Sequence, residues 1–175
     1  KLANTVNVLL VGPIQLAIYP ILVRIYNTDR QQRFYSKVMT YLSFILIFCI
    51  LFFSFFSQEM VKILSQRMEY WDSYQVIPVL SFAAVFMMMK DLASLHLQLT
   101  KRTKLLSTVI VAVSVINVSL NLVLIPIHSY MGAAFAFLIS QILYFIALHF
   151  FANKPNTIGY EYRKLILMLI IAVVF

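Results

Sequence analysis

A chain of 175 residues that is 62% hydrophobic and 11% charged, with a mean hydropathy of +0.90, lies far from the roughly half-apolar usage of soluble domains and reads as an integral membrane protein. The formal charge of +8, from 14 Lys and Arg against 6 Asp and Glu, sits in short loops between apolar runs, so its sign reports orientation across a bilayer and argues against nucleic acid as a partner. The single cysteine, Cys49, excludes an internal disulfide and a thiolate metal cluster. The chain starts at Lys1 and stops at Phe175 inside an apolar run, and it reads as a fragment of a longer protein.

Windows of about 20 residues, the length that crosses a hydrocarbon core of about 30 Å, mark five complete spans and the start of a sixth. The expected fold is therefore all-α, a polytopic membrane helix bundle, with 1–152 as a transmembrane lobe and 153–175 as a loop leading into a further helix. The first span, 5–23, carries Asn7, Gly12, Pro13, Gln15 and Pro20. Its prolines predict a kinked or partly unwound helix, and transporters place such breaks near substrate. Segment 24–37 interleaves Arg24, Arg30, Arg33 and Lys37 with aromatics, as a short interfacial helix against anionic membrane lipid would. The second span, 38–57, has no charge and is expected on the lipid-facing side. Between it and Tyr74, Met60, Val61, Ile63 and Leu64 suggest a surface helix, while Tyr70, Trp71 and Tyr74 suggest an interfacial aromatic belt.

The third span, 76–99, contains Lys90 and Asp91. With a hydrocarbon section from about Ile77 to Leu97, Lys90 lies about 10 Å inside the nearer boundary at 1.5 Å per residue. Its side chain tilts toward the far side, which makes snorkelling awkward. Each charge costs about 2.5 to 3.5 kcal/mol at the centre of a span, so a functional site is the default reading. Adjacent side chains leave a helix about 100° apart, which predicts that the pair does not simply neutralise itself. Ser94 and Gln98 continue the Asp91 face, a polar stripe expected to line a cavity in which Lys90 holds a phosphate and Asp91 sets its position and charge state. The alternative is a structural ion pair to another helix.

The fourth span, 105–127, is expected to organise the others. Asn117 and Asn121 are four residues apart and share a face with Ser114. Lipid cannot satisfy their amides, so the stripe must look into protein or a wet cavity, either as packing glue or as substrate contacts. The helix is expected to stop at Pro126. The fifth span, 131–151, opens with Gly132, Ala136 and Ser140, small residues that let a neighbouring backbone approach closely. Lys and Arg in successive loops number 4, 2, 3, 0 and 3, an alternation that puts loops 24–37, 100–104 and 152–164 in the cytoplasm. His96, His128 and His149 are scattered without metal-ligand spacing, and no phosphate-binding glycine loop or nucleophile motif occurs, so neither enzyme chemistry nor a cofactor is expected.

The run Asn117-Val118-Ser119-Leu120-Asn121-Leu122-Val123-Leu124-Ile125-Pro126, followed by Gly132-Ala133-Ala134-Phe135-Ala136, resembles the signature of bacterial polysaccharide flippases. These belong to the multidrug, oligosaccharidyl-lipid and polysaccharide exporter superfamily. The segment Ala17 to Arg24, the opening Tyr74 to Pro78 and the basic turn Lys101 to Lys104 look similar as well, so the likeness covers nearly the whole chain. It departs where Ser129 stands in place of the family's glycine and Phe137 in place of its threonine. The resemblance implies a two-lobe exporter fold around a central cavity, of which this chain is most of the C-terminal lobe, with the N-terminal lobe as its missing partner. It implies translocation of an undecaprenyl-pyrophosphate-linked oligosaccharide across the bacterial cytoplasmic (inner) membrane by alternating access, with the lipid-linked oligosaccharide as partner. Gln15, Lys90, Asp91, Ser94, Gln98, Asn117 and Asn121 are the candidate substrate-binding residues. A cation-coupled drug exporter should favour acidic over basic cavity residues, and a purely structural membrane protein needs Lys90 and Asp91 buried against each other.

Overall fold

The computed structural model describes residues 12–26, 31–64 and 74–152. Five helices account for nearly all of them: α1 Gly12–Ile25, α2 Gln31–Phe55, α3 Ser57–Leu64, α4 Val76–Leu99 and α5 Thr103–Ala152, with no strand among the described residues. Three helical stretches, Arg33–Phe52, Val76–Leu99 and Thr103–Phe151, are long and apolar enough to cross a membrane. Residues 5–11 of the expected first span, Tyr70 and Trp71 of the aromatic belt, and all of 153–175 lie outside the described residues.

Helix α1 runs without interruption through Pro20, so the unwinding expected there does not occur. Pro13 sits at its second position, where a missing N–H removes no helical bond. The surface helix expected over 24–37 is also corrected: Arg24 lies in the last turn of α1, while Arg33 and Lys37 belong to the first two turns of α2. Basic side chains at the end of α1 face the negative pole of its dipole.

Beyond its basic first two turns helix α2 is largely apolar on both faces, yet only one of them is buried. Tyr35, Met39, Leu42, Leu46, Ile47 and Ile50 pack on Ala84, Val85, Met88, Met89, Leu92 and Leu95 of α4, while Tyr41, Phe44, Ile45, Phe48 and Phe52 are exposed. The small polar residues Ser36, Thr40 and Ser43 lie on the buried side. A helix expected on the lipid-facing side thus leaves one apolar face exposed and buries the other against α4. Hydropathy cannot separate the faces when phenylalanine covers one and leucine the other. α3 is two-sided, with Val61 buried and Ile63 exposed.

At the end of α4 the chain reverses through a Schellman motif. The Arg102 N–H bonds the Leu97 carbonyl at 2.9 Å and the Lys101 N–H bonds the Gln98 carbonyl at 3.0 Å, with Lys101 in the left-handed region at φ 57°. These bonds satisfy carbonyls that the helix end would otherwise leave open. α5 then packs back on α4 through Ala93, Leu97, Leu106, Val109, Val113 and Leu148.

α5 itself is two arms, 103–128 and 130–152, broken at Ser129 with φ 49° and ψ −127°. Pro126 lies inside the helix and does not end it. The reason is local: a proline removes one hydrogen bond, whereas reversal needs a backbone outside the helical region. The arms fold against each other. A Cβ added to Gly132 would stand 2.5 Å from the Leu124 carbonyl carbon and 3.0 Å from the Ile125 nitrogen, so only glycine allows this approach.

The hub is α4, not the 103–128 arm expected to organise the bundle. In its most apolar window 44% of α4 is buried, against 11% for the richer apolar run of α5. Val111, Val115, Val118, Leu122, Val123 and Ile127 of α5 are exposed. An apolar surface of this extent on a helix long enough to span is what a bilayer would cover.

Candidate functional site

Two polar constellations stand inside the apolar bundle. The first centres on Asp91 of α4. Lys90 donates from Nζ to Asp91 Oδ1 at 2.6 Å, and Gln15, reaching from α1, donates from Nε2 to Asp91 Oδ2 at 2.6 Å. The ammonium also lies over the ring of Tyr144 of α5, 5.0 Å from its centroid, a cation–π contact of about 1 kcal/mol. Three helices distant in sequence thus meet at one charged pair, whose side chains are 14% and 17% exposed.

The expectation that Lys90 and Asp91 would not neutralise each other is overturned by this contact. Backbone geometry separates adjacent side chains by about 100°, but a four-carbon stem spans the gap. Both oxygens of the carboxylate carry a donor, which holds it against rotation, and charge-assisted bonds of this kind are roughly twice as strong as neutral ones.

The rest of the expected stripe does not join the pair as drawn. The Ser94 hydroxyl donates to the Asp91 backbone carbonyl at 2.8 Å, a bond within α4. Gln98 is exposed in the last turn of the helix.

The second constellation closes the α5 hairpin. Asn121 donates from Nδ2 to Asn117 Oδ1 at 3.0 Å and to the Asn117 carbonyl at 2.9 Å. Asn117 in turn donates to Ser140 Oγ at 2.8 Å and, more weakly, to the Ala136 carbonyl at 3.4 Å. The Ser140 hydroxyl passes the chain on to the Ala136 carbonyl at 2.7 Å. Donors and acceptors point one way along this relay, so each bond polarises the next. The amides therefore serve the seam between the arms, and Ser114, expected on their face, is exposed.

Of the seven candidates the structure joins Gln15, Lys90 and Asp91 in one group and Asn117 and Asn121 in another. The two groups flank the same stretch of α5, because Ser140 and Tyr144 are one turn apart. Tyr144 was missed by sequence reasoning. A tyrosine eight residues from the end of a span, well away from either interfacial belt, was the available signal. One turn of the same arm also carries Gln141, whose Oε1 is buried without a hydrogen-bond partner. Among the described residues no group of three His, Cys, Asp or Glu side chains is placed to hold a metal ion.

A charge pair inside an apolar helix bundle, with an aromatic wall and an amide clamp, can do two things chemically. It can hold the packing of three helices, or it can exchange its internal partner for an external ion of either sign. Comparisons with family models, with curated proteins and with solved structures find no match to this chain.

Proposed function

We propose that this chain is the C-terminal half of a membrane exporter that carries an anionic, lipid-linked oligosaccharide from one leaflet to the other, with Lys90 as the anion-binding group. The observation that carries this reading is the Lys90–Asp91 pair: charged, in the interior of a span, shared by α1, α4 and α5, and left partly accessible. Charges in such positions are costly and mark solute pathways more often than scaffolds. The signature over 117–136 and the small-residue hairpin add the flippase resemblance and give the substrate as an undecaprenyl-pyrophosphate-linked repeat unit in a bacterial cytoplasmic membrane.

Orientation follows from charge. Tyr35 touches both ends that meet there, donating to the Leu22 carbonyl at 2.9 Å and lying edge-on to His96 at 6.3 Å. Arg24, Arg33, Lys37, Lys101, Arg102 and Lys104 consequently collect at one end of the bundle, the end that the positive-inside rule assigns to the cytoplasm.

A second reading has an observation in its favour. Lys90 and Asp91 neutralise each other at 2.6 Å, as a structural membrane protein would require. Export of surface polysaccharide in cells that depend on the full-length protein separates the two. A transporter loses export per inserted copy on Lys90→Ala, whereas a scaffold loses abundance alone and leaves export per copy unchanged.

A further inference from the structure

We infer that Asp91 is a built-in competitor for the anion at Lys90, displaced when substrate enters, and that Gln15 of α1 sets how strongly it competes. The inference rests on the transport reading above and assigns roles within its site. An ammonium inside an apolar bundle needs one negative partner, and that partner is Asp91 at 2.6 Å. The Tyr144 ring lies against another side of the ammonium, 5.0 Å from its centroid, and the pair is only 14% and 17% exposed, so an incoming phosphate oxygen gains the full charge of Lys90 by replacing the carboxylate. Two like charges on one lysine repel, and only one is matched.

Gln15 decides the ease of exchange. Its amide holds the second carboxylate oxygen at 2.6 Å from a helix 76 positions away in sequence. With both oxygens engaged, the carboxylate cannot swing off Lys90 without breaking a contact between α1 and α4 or carrying it along. The lysine–carboxylate pair is electrically neutral, which weakens its hold on inorganic ions, and the energy of opening it is drawn from the substrate's own charge. Asp91 acts here as a specificity-determining residue, and Gln15 is a positioning residue that works through it.

The test is binding of a water-soluble short-chain alkyl diester of pyrophosphate, whose charges do not titrate near neutrality, to the full-length protein in phosphatidylcholine nanodiscs. Asp91→Asn should bind at least about tenfold more tightly than the natural chain, the scale of one lost charge-assisted competitor. Gln15→Ala should tighten binding by about threefold. Lys90→Ala should bind more weakly than the natural chain, and adding Asp91→Asn to it should recover less than the tenfold gained with the lysine present, since it relieves only the repulsion of a bare carboxylate and frees no cation. Where Asp91→Asn does not fold, Gln15→Ala carries the test, and unchanged or weaker binding there overturns the inference. Asp91→Asn binding no better than the natural chain, with Lys90→Ala impaired, overturns the displacement model and leaves the transport reading standing. Lys90→Ala binding as well as the natural chain overturns both.

Discussion

The charged node at Asp91 and the amide seam of α5 are both polar groups in an apolar bundle, but they are connected in opposite ways. The seam joins residues of one hairpin, with Asn117 meeting Ser140 across a single turn of chain. The node joins α1, α4 and α5 through residues up to 76 positions apart. In the seam every contact is neutral and local, so it can form as soon as the hairpin closes. In the node a full charge pair waits for three helices to assemble. The difference teaches where function can reside: the seam fixes one element, while the node responds to any shift of those helices against each other.

Substitutions that damage one region and spare the other sharpen that contrast. The largest effect is expected at the seam's closest approach, where Gly132→Val forces a side chain into the Leu124 carbonyl and should cost about 3 kcal/mol or more, measured as a fall in the denaturant midpoint of helical signal in detergent. Asp91→Ala strands Lys90 in the interior and should cost about 3 kcal/mol by the same measurement. Equal stability to the natural chain would mean that the pair is solvated. Asn117→Ala removes the relay but no charge, and about 1 kcal/mol is expected. Ser129→Gly should raise stability by about 1 kcal/mol, because φ 49° and ψ −127° belong to glycine. The smallest change is expected at Gln98→Ala, within about 0.5 kcal/mol, as the side chain is exposed and outside both regions.

Sequence and structure agree where apolar length alone decides. The bounds 76–99 match α4 because no proline break or loop interrupts that run, and Lys90 with Asp91 was visible as the charged exception within it. The Asn117 and Asn121 amides were legible as a stripe, and Gly132, Ala136 and Ser140 as the surface that receives them, since four-residue spacing fixes a helix face. The turn between the spans 105–127 and 131–151 contains Ser129, where the chain does reverse; only the helix end was set early, at Pro126, because proline is a visible breaker while a positive φ at a serine is not. The hub was misjudged for a different reason. Hydropathy rises with exposure to lipid as readily as with burial in protein, so the most apolar helix, α5, proved the least buried. Tyr144 and Gln15 could not be paired with the charges, because contacts between distant helices have no period in the chain.

The most direct test of the central claim compares export per membrane-inserted copy in Lys90→Ala and Asn117→Ala, using cells that rely on the full-length protein for surface polysaccharide. The account predicts that Lys90→Ala abolishes export per inserted copy, while Asn117→Ala exports in proportion to the copies that remain folded. Normal export per copy from Lys90→Ala would contradict it and leave the node as packing alone.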